Sequence, residues 1–278
     1  MTLHTSDRPI GVFDSGVGGL TVLEECLVGL ASENFIYYGD TAYFPYGEKS
    51  SEDLRHRARA ISEWLIDQDV KLIVVACNTA TAAALEYLQT TLEVPVMGVM
   101  GPEARAAAQT TRNRRVGLLA TEATVASGSY ERMIHANDAG VTVTSVACPR
   151  LAPAIQAGTD WGEEMIEMIR EYTEPLRRAD VDTVILGCTH YPMVEKILRR
   201  QLPGVAIIKA GEELARDVDE TLSRRGLRRP NGGEGTYSFA CSGDVEGFRE
   251  VGSRFLQMPM GSVTRVDPVG DQVTEARP

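Results

Sequence analysis

The sequence is poor in lysine and lacks long apolar runs, closely spaced cysteine pairs and an excess of positive charge. Only four of its 28 basic residues are lysines, and none stands in a cofactor-binding context, which disfavours a lysine Schiff base with pyridoxal phosphate. No apolar run approaches the length of a membrane span. The net charge of −11, with acidic and basic residues interspersed, argues against a nucleic-acid surface.

The five cysteines include no C-x-x-C pair, which argues against a structural zinc site. Their odd number and the absence of a recognisable signal peptide argue against a disulfide framework and predict a reducing, cytoplasmic environment. We therefore expect a protein with no metal, no cofactor, and neither nucleic acid nor membrane among its partners.

Two of the cysteines, Cys77 and Cys188, lie in matching settings 111 positions apart. Each closes a short apolar run, and each is followed by two polar residues and a helix-like stretch (Ala80–Leu92 and Pro192–Arg200). This pattern places both thiols at the carboxyl ends of strands, where α/β proteins bind ligands. Because a helix N-terminus favours the thiolate form of a nearby cysteine, the pattern predicts a pair of thiols that exchange protons.

Buried, inert thiols are the simplest alternative, because free cysteine is among the most buried residue types. We adopt that interpretation for the other three cysteines, Cys26, Cys148 and Cys241. For the matched pair, the polar residues that follow (Asn78-Thr79 and Thr189-His190) argue against it, since their hydroxyl and amide groups are placed to bind a ligand.

Short apolar runs alternate with helical patterns along all 278 residues, which predicts βαβ units and mostly parallel sheets. The predicted strands are Ile10–Asp14, Asn34–Gly39, Leu72–Cys77, Val96–Val99, Val116–Thr121, Val141–Cys148, Thr183–Cys188, Ala206–Lys209 and Tyr237–Cys241. A weak internal repeat aligns Pro9–Ser15 with Arg115–Thr121 and would bring Cys77 opposite Cys188. The predicted fold is α/β, with two pseudo-symmetric α/β domains that meet near Val99–Pro102 and a functional site in the cleft between them.

A glycine-rich segment, Asp14-Ser15-Gly16-Val17-Gly18-Gly19, follows the first strand and precedes a helix. Such glycines let backbone N–H groups approach an anion. A dinucleotide site is disfavoured, because Thr21 stands where the third glycine belongs and Asp14 would repel a pyrophosphate. A small carboxylate fits better, with Asp14 holding an ammonium group and Ser15 an anion. A simple tight turn remains the alternative for the glycines.

Three further segments are too polar for core and follow predicted strands. Asp40-Thr41 and Pro45-Tyr46-Gly47 form a loop that can close over a ligand, and Thr121-Glu122-Ala123-Thr124 holds the corresponding place in the second half. His190 lies two residues from Cys188, where it can tune the thiol or the substrate, or bond only to the backbone.

Together these residues predict two thiols on opposite sides of a site that also holds hydroxyl groups and helix N-termini. Removing and replacing a proton on a carbon acid requires a base on one face and an acid on the other, and thiolate and thiol can exchange those roles. The N–H groups would stabilise charge developing on a substrate carboxylate. This chemistry is that of a cofactor-independent amino-acid racemase.

The motifs resemble those of bacterial glutamate racemases, in family order, over roughly residues 9–268. They are Phe13-Asp14-Ser15-Gly16-Val17-Gly18-Gly19, Gly39-Asp40-Thr41, Pro45-Tyr46-Gly47, Ala76-Cys77-Asn78-Thr79-Ala80 and Gly187-Cys188-Thr189-His190-Tyr191-Pro192. The resemblance implies that Cys77 deprotonates D-glutamate and Cys188 deprotonates L-glutamate. It implies substrate contacts from Asp14, Ser15, Tyr46, Gly47, Asn78, Thr79, Thr121, Thr189 and His190, with Asp40 in support.

The resemblance also implies an isomerase that supplies D-glutamate for peptidoglycan, and hence for cell-wall biogenesis and cell shape. It implies a first domain of residues 1–99 with 210–268 and a second of residues 100–209, and it is compatible with a homodimer. We expect residues 269–278 to form a disordered tail.

One position departs from the pattern, because Gln156 stands where many family members carry a glutamate, which puts any role of that carboxylate in doubt. Two alternatives remain open at the level of sequence. An aspartate or hydantoin racemase would keep both cysteines on a similar fold. A non-catalytic thiol protein that senses redox state or binds small anions would need one cysteine to be dispensable, or both close enough to bond.

Overall fold

The structure is a computed structural model that describes residues 5–158, 162–230 and 233–268. Within these ranges the strands are β1 Ile10–Asp14, β2 Phe35–Gly39, β3 Leu72–Val75, β4 Val96–Gly98, β5 Arg115–Ala120, β6 Thr142–Ala147, β7 Thr183–Gly187, β8 Ala206–Ile208, β9 Tyr237–Cys241 and β10 Val263–Arg265. The helices are α1 Leu20–Gly29, α2 Ser51–Asp67, α3 Asn78–Thr91, α4 Met100–Thr110, α5 Glu122–Ser127, α6 Ser129–Asn137, α7 Leu151–Ala157, α8 Glu163–Arg178, α9 Glu195–Gln201, α10 Glu212–Arg225 and α11 Val245–Phe255. Short 3₁₀ helices cover Thr5–Asp7, Tyr46–Glu48 and Tyr191–Val194.

The described strands form two parallel sheets. The first has the order β10-β9-β2-β1-β3-β4 and the second the order β6-β5-β7-β8. The first sheet therefore takes strands from both ends of the chain, while the second is continuous in sequence. The α/β prediction is confirmed. The domain borders themselves remain a prediction, and the predicted disordered tail, residues 269–278, lies outside the described residues.

The two sheets repeat one topology. The order β2-β1-β3-β4 in the first corresponds to β6-β5-β7-β8 in the second, so β1 matches β5 and β3 matches β7. In each sheet, the second strand along the chain lies on one side of the first strand and the third strand lies on the other side. The crevice at the carboxyl ends of the first and third strands, where the strand order reverses, is the usual ligand site. The aligned segments Pro9–Ser15 and Arg115–Thr121 fall on β1 and β5, which confirms the predicted repeat.

Local sequence accounts for most element ends. Ser50 caps α2 by accepting a hydrogen bond from the Asp53 N–H (3.1 Å), and Gly226 ends α10 with a φ of 65°. Two helix predictions need correction. Helix α3, predicted to begin at Ala80, begins at Asn78, because Cys77 is its N-cap. The stretch Pro192–Arg200 is a 3₁₀ turn followed by α9 rather than one helix.

Candidate active site

The sulfur of Cys77 caps helix α3. It accepts a hydrogen bond from the Ala80 N–H at 3.4 Å, and the residue is 5% exposed. The pKa of this thiol is raised to about 12, chiefly by burial and also by the negative charge of Asp14, against hydrogen bonds from Ala80 and Ser15 that lower it. At this cysteine the effect of burial on the pKa therefore exceeds that of the helix N-terminus, which favours the thiolate.

Cys188 follows β7 as Cys77 follows β3. It is 8% exposed, and its Sγ lies 4.0 Å from His190 Nδ1. Burial raises the pKa of this thiol well above its usual value, although the backbone N–H of His190 acts in the opposite direction. The raised pKa values favour the thiol form of both cysteines at neutral pH, so one of them must lose its proton before it can act as a base.

His190 lies beside Cys188 as a neutral imidazole. It is 1% exposed, and burial lowers its pKa to about 3. Its ring packs against Phe44 and Phe255, at centroid distances of 5.3 and 5.4 Å. Its Nε2 donates to the Gln156 Oε1, 2.9 Å away. A neutral imidazole has one N–H, so the Nδ1 that faces the Cys188 thiol is left as a hydrogen-bond acceptor.

Asp14, at the end of β1, lies fully buried between the two halves of the chain. Its carboxylate accepts hydrogen bonds from the Gly16 N–H (3.0 Å) and from the Thr189 hydroxyl (3.2 Å). Burial raises its pKa, against hydrogen bonds from Gly19, Gly16, Thr189 and Ser15. A Cβ at Gly18 would overlap His190 Nδ1 and Thr189 Oγ1. The glycine at this position thus lets the first half pack directly against His190 and Thr189 of the second.

Tyr46 and Gly47, in the loop after β2, reach the site from the other side. The Tyr46 hydroxyl donates to the fully buried Asp40 (2.5 Å). Arg57 forms two hydrogen bonds with the same carboxylate at 2.6 and 2.7 Å, and Ser242 donates a fourth. Asp40 therefore holds the loop and does not line the cavity, which supports its predicted supporting role.

Hydroxyl groups from both halves meet at the N-termini of α3 and α5. The Thr79 Oγ1 lies 2.9 Å from the Thr121 Oγ1 and 3.2 Å from the Thr124 Oγ1. Thr121 also caps α5, because its hydroxyl accepts from the Thr124 N–H at 3.3 Å. The predicted segment Thr121-Glu122-Ala123-Thr124 contains Thr124, but this buried residue was not among the predicted substrate contacts.

One cavity brings the predicted site residues together. It is lined by Ser15, Phe44, Pro45, Tyr46, Gly47, Cys77, Asn78, Thr79, Thr121, Ala152, Cys188, Thr189 and His190. Of the predicted substrate contacts, only Asp14 is absent from this lining, since it lies behind Thr189. Phe44 and Ala152 were not predicted, because an apolar wall residue carries no chemical signature in a sequence. The cavity volume is about 20 Å³, room for about one water molecule, so an amino acid can enter only when the walls separate.

All five cysteines are free thiols, and all are buried. In the described part of the chain, no three His, Cys, Asp or Glu side chains cluster in a way that could hold a metal ion. Within residues 5–158, 162–230 and 233–268, no helix is long and apolar enough to cross a membrane.

Comparison with known proteins gives a consistent result. The Asp/Glu/Hydantoin racemase family model matches residues 14–218. A glutamate racemase of Geobacter metallireducens is 44% identical over 260 residues, which are 93% of this chain and 96% of the relative. A glutamate racemase of Shouchella clausii is 40% identical over 259 residues, 93% of this chain and 94% of the relative.

Solved structures agree with the sequences. The crystal structure of a glutamate racemase isoform from Bacillus anthracis matches with a TM-score of 0.90 and 37% identity, covering 94% of this chain and 98% of that chain. The Francisella tularensis glutamate racemase in complex with D-glutamate matches with a TM-score of 0.89 and 32% identity, covering 95% and 99%. An aspartate racemase of Picrophilus torridus, at 17% identity and a TM-score of 0.58 over 78% of this chain and 94% of that one, shares the fold alone.

Proposed function

The chain belongs to the Asp/Glu/Hydantoin racemase family, and we propose that it is a glutamate racemase, an isomerase that interconverts L- and D-glutamate. One observation carries the proposal: two free, buried thiols line the same cavity, each following the equivalent strand of one of two repeated sheets. A base and an acid from opposite sides of a ligand are what inversion at a carbon acid requires.

In the proposed reaction, the Cys77 thiolate removes the Cα proton of D-glutamate and becomes a thiol. The Cys188 thiol delivers its proton to the opposite face of the carbanion and becomes the thiolate, which gives L-glutamate. The reverse reaction exchanges these roles. After a turnover from D- to L-glutamate, Cys77 is the thiol and Cys188 is the thiolate. Before the next turnover in the same direction, Cys77 loses a proton to solvent and Cys188 takes one up from solvent.

A thiolate must form in a site where burial favours the thiol. A substrate ammonium group would bring positive charge into the cavity and offset the Asp14 carboxylate, whose charge acts on both cysteines. That change lowers the pKa of a nearby thiol. The proton that Cys77 or Cys188 loses before the first turnover passes to solvent, and His190 Nδ1, 4.0 Å from the Cys188 Sγ, faces that thiol as a hydrogen-bond acceptor.

The carbanion needs a place for its charge, which spreads onto the substrate α-carboxylate. Hydroxyl groups of Thr79 and Thr121 line the cavity at two helix N-termini. Groups of this kind stabilise developing negative charge when they are already oriented before the reaction. They are the groups we assign to the carboxylate.

Glutamate is favoured over aspartate because the relatives named as glutamate racemases match nearly the whole chain at substantial identity, whereas the aspartate racemase shares only the fold. We further propose that the enzyme acts in the cytoplasm and that its D-glutamate enters peptidoglycan. We also propose a homodimer, whose mass can be measured by analytical ultracentrifugation.

Isotope flow in heavy water tests the two-thiol proposal. Starting from D-glutamate, the first L-glutamate formed should carry deuterium at Cα, while recovered D-glutamate remains almost wholly protiated. Mass spectrometry of both enantiomers at low conversion measures this. Retention of the original hydrogen in the product would indicate a single base and contradict the mechanism. No exchange with glutamate, but rapid turnover of aspartate or a hydantoin, would contradict the assigned substrate.

A further inference from the structure

We propose that Glu103 and Tyr130 are positioning residues that fix the side-chain amide of Asn78, so that its oxygen accepts a hydrogen bond from the substrate ammonium group. Neither residue lines the cavity, and neither belongs to a motif named in the sequence analysis. The inference rests on the proposed function, because it assigns the Asn78 oxygen to an amino-acid substrate.

Asn78, Glu103 and Tyr130 form a buried polar cluster next to Cys77. They are exposed by 2%, 1% and 1%, respectively. The Asn78 Nδ2 donates to Glu103 Oε2 at 2.9 Å and to the Tyr130 hydroxyl oxygen at 2.7 Å. The Tyr130 hydroxyl in turn donates to the same Glu103 oxygen at 2.5 Å. The three residues come from α3, α4 and α6, so the second half of the chain holds a residue of the first.

These contacts determine which way the amide points. An asparagine amide has two N–H donors, and both are used by Glu103 and Tyr130. If the amide were flipped, its oxygen would face the carboxyl oxygen of Glu103, and both donors would lose their acceptors. Leaving buried polar groups unpaired in this way is unfavourable, so the cluster selects one orientation.

The selected orientation leaves the Asn78 oxygen without a partner. Its Oδ1 is buried and has no hydrogen-bond partner among the described residues, although Asn78 lines the cavity. A buried acceptor of this kind is satisfied by a donor from a ligand. The ammonium group is the only N–H donor of glutamate, and its contact beside Cys77 would hold the Cα–H bond near that thiol.

The protonation state of Glu103 is consistent with this role. Burial raises its pKa to about 8, against hydrogen bonds from Tyr130 and Asn78. The carboxyl group is thus largely neutral at pH 7; its Oε2 accepts two hydrogen bonds, and its Oε1 is buried without a hydrogen-bond partner among the described residues. Glutamine has the same shape as this neutral form, so it can replace Glu103 without losing the acceptor.

Two ligands separate positioning from a general structural role. Glutamate carries the ammonium group, whereas glutarate has both carboxylates and lacks it. For Glu103→Leu, we expect the KM for both glutamate enantiomers to rise about 10- to 100-fold, the range for a hydrogen bond to a charged group. The inhibition constant of glutarate should stay within about threefold. Glu103→Gln should restore the KM to within about threefold of the wild-type value.

Tyr130→Phe provides a second variant in case Glu103→Leu does not fold, as checked by circular dichroism. It removes one acceptor of the Asn78 amide, and we expect the same selective weakening of glutamate to a smaller degree. Tyr237→Phe, at a half-exposed tyrosine on β9, is the matched control and should change neither constant.

Parallel weakening of glutamate and glutarate would show that the cluster only supports the fold and would overturn the proposal. An unchanged glutamate KM in both Glu103→Leu and Tyr130→Phe would overturn it as well. Wild-type turnover is measured first and keeps the two proposals apart. A wild-type protein that does not racemise glutamate contradicts the proposed function, whereas an active wild type with insensitive variants contradicts only the positioning role.

Discussion

His190 Nε2 donates a hydrogen bond to Gln156 Oε1 across 2.9 Å, and this contact sets the protonation of the imidazole. An amide oxygen only accepts, so the ring nitrogen that faces it carries the proton. The other nitrogen then faces the Cys188 thiol as an acceptor. The partner of His190 Nε2 is therefore neutral and does not favour an imidazolium ion.

Gln156→Glu should raise the pKa of His190 from about 3, because a carboxylate at hydrogen-bond distance favours the charged imidazole. We expect a rise of at least about one pKa unit, measured by NMR titration of the ring protons. Turnover at pH 7 should change by no more than about tenfold, roughly 1.4 kcal/mol in the barrier. Gln68→Glu adds the same charge at an exposed position and should alter neither quantity. An unchanged His190 pKa would mean that the two side chains do not interact.

Replacing Cys77 or Cys188 with serine should reduce racemisation by at least about 10²- to 10⁴-fold, the usual contribution of a general acid or base. A serine hydroxyl is similar in size but far too weak an acid to supply a base at neutral pH. The matched control is Cys241→Ser, at the carboxyl end of β9 and outside the cavity lining, which should remain active. Turnover and circular dichroism are measured together. Near-normal turnover of the Cys188→Ser protein would contradict the two-thiol mechanism.

Gly18→Ala should lower kcat/KM by about 10²-fold, the effect of displacing reacting groups by about 1 Å. The added methyl group would overlap His190 and Thr189 and push both away from the cavity. Gly101→Ala is the control, because its methyl group meets no atom within 4 Å, and alanine in a helix is more stable than glycine by about 0.5–1 kcal/mol. Kinetics and thermal unfolding distinguish the two variants. Full activity in Gly18→Ala would show that the contact between the two halves is not tight.

Stability should depend on pH through Glu103. Its pKa is about 8 in the folded protein and about 4.5 in the unfolded chain. Between these values the folded state holds a proton that the unfolded state has lost, so the free energy of unfolding falls as pH rises, by up to about 1.4 kcal/mol per pH unit.

Glu103→Gln removes this contribution. We expect the variant to lose less stability than the wild type between pH 5 and pH 8 in urea unfolding experiments. Glu86→Gln, at an exposed glutamate, should leave the pH dependence unchanged. Equal slopes for Glu103→Gln and the wild type would show that Glu103 is ionised in the folded protein.

The sequence predicted the positions of most strands because a buried parallel strand is a local, nearly continuous apolar run. It also predicted the ends of those strands to within two residues, and the carboxyl ends of strands in such sheets lie at one edge. The edge strand β10 was missed, since its three residues are half-buried or exposed and carry no apolar run.

The contacts between distant residues could not be predicted in the same way. Glu103 lies on an ordinary amphipathic helix, and only the packing of α4 against α6 shows that its carboxyl group meets Tyr130 and Asn78. The ion pair of Asp40 with Arg57 and the contact of Gln156 with His190 likewise join segments 17 and 34 residues apart. No local pattern specifies such pairs.

By itself, the sequence determined the α/β fold class and the two thiols at equivalent strand ends, because both follow from the order of apolar and polar residues along the chain. Only the tertiary structure decided the protonation of those thiols. The local helix N-terminus favours thiolate at Cys77, but the burial that arises when the two halves meet raises the pKa of both cysteines. Desolvation depends on every atom that surrounds a group, and those atoms come from segments far apart in the chain.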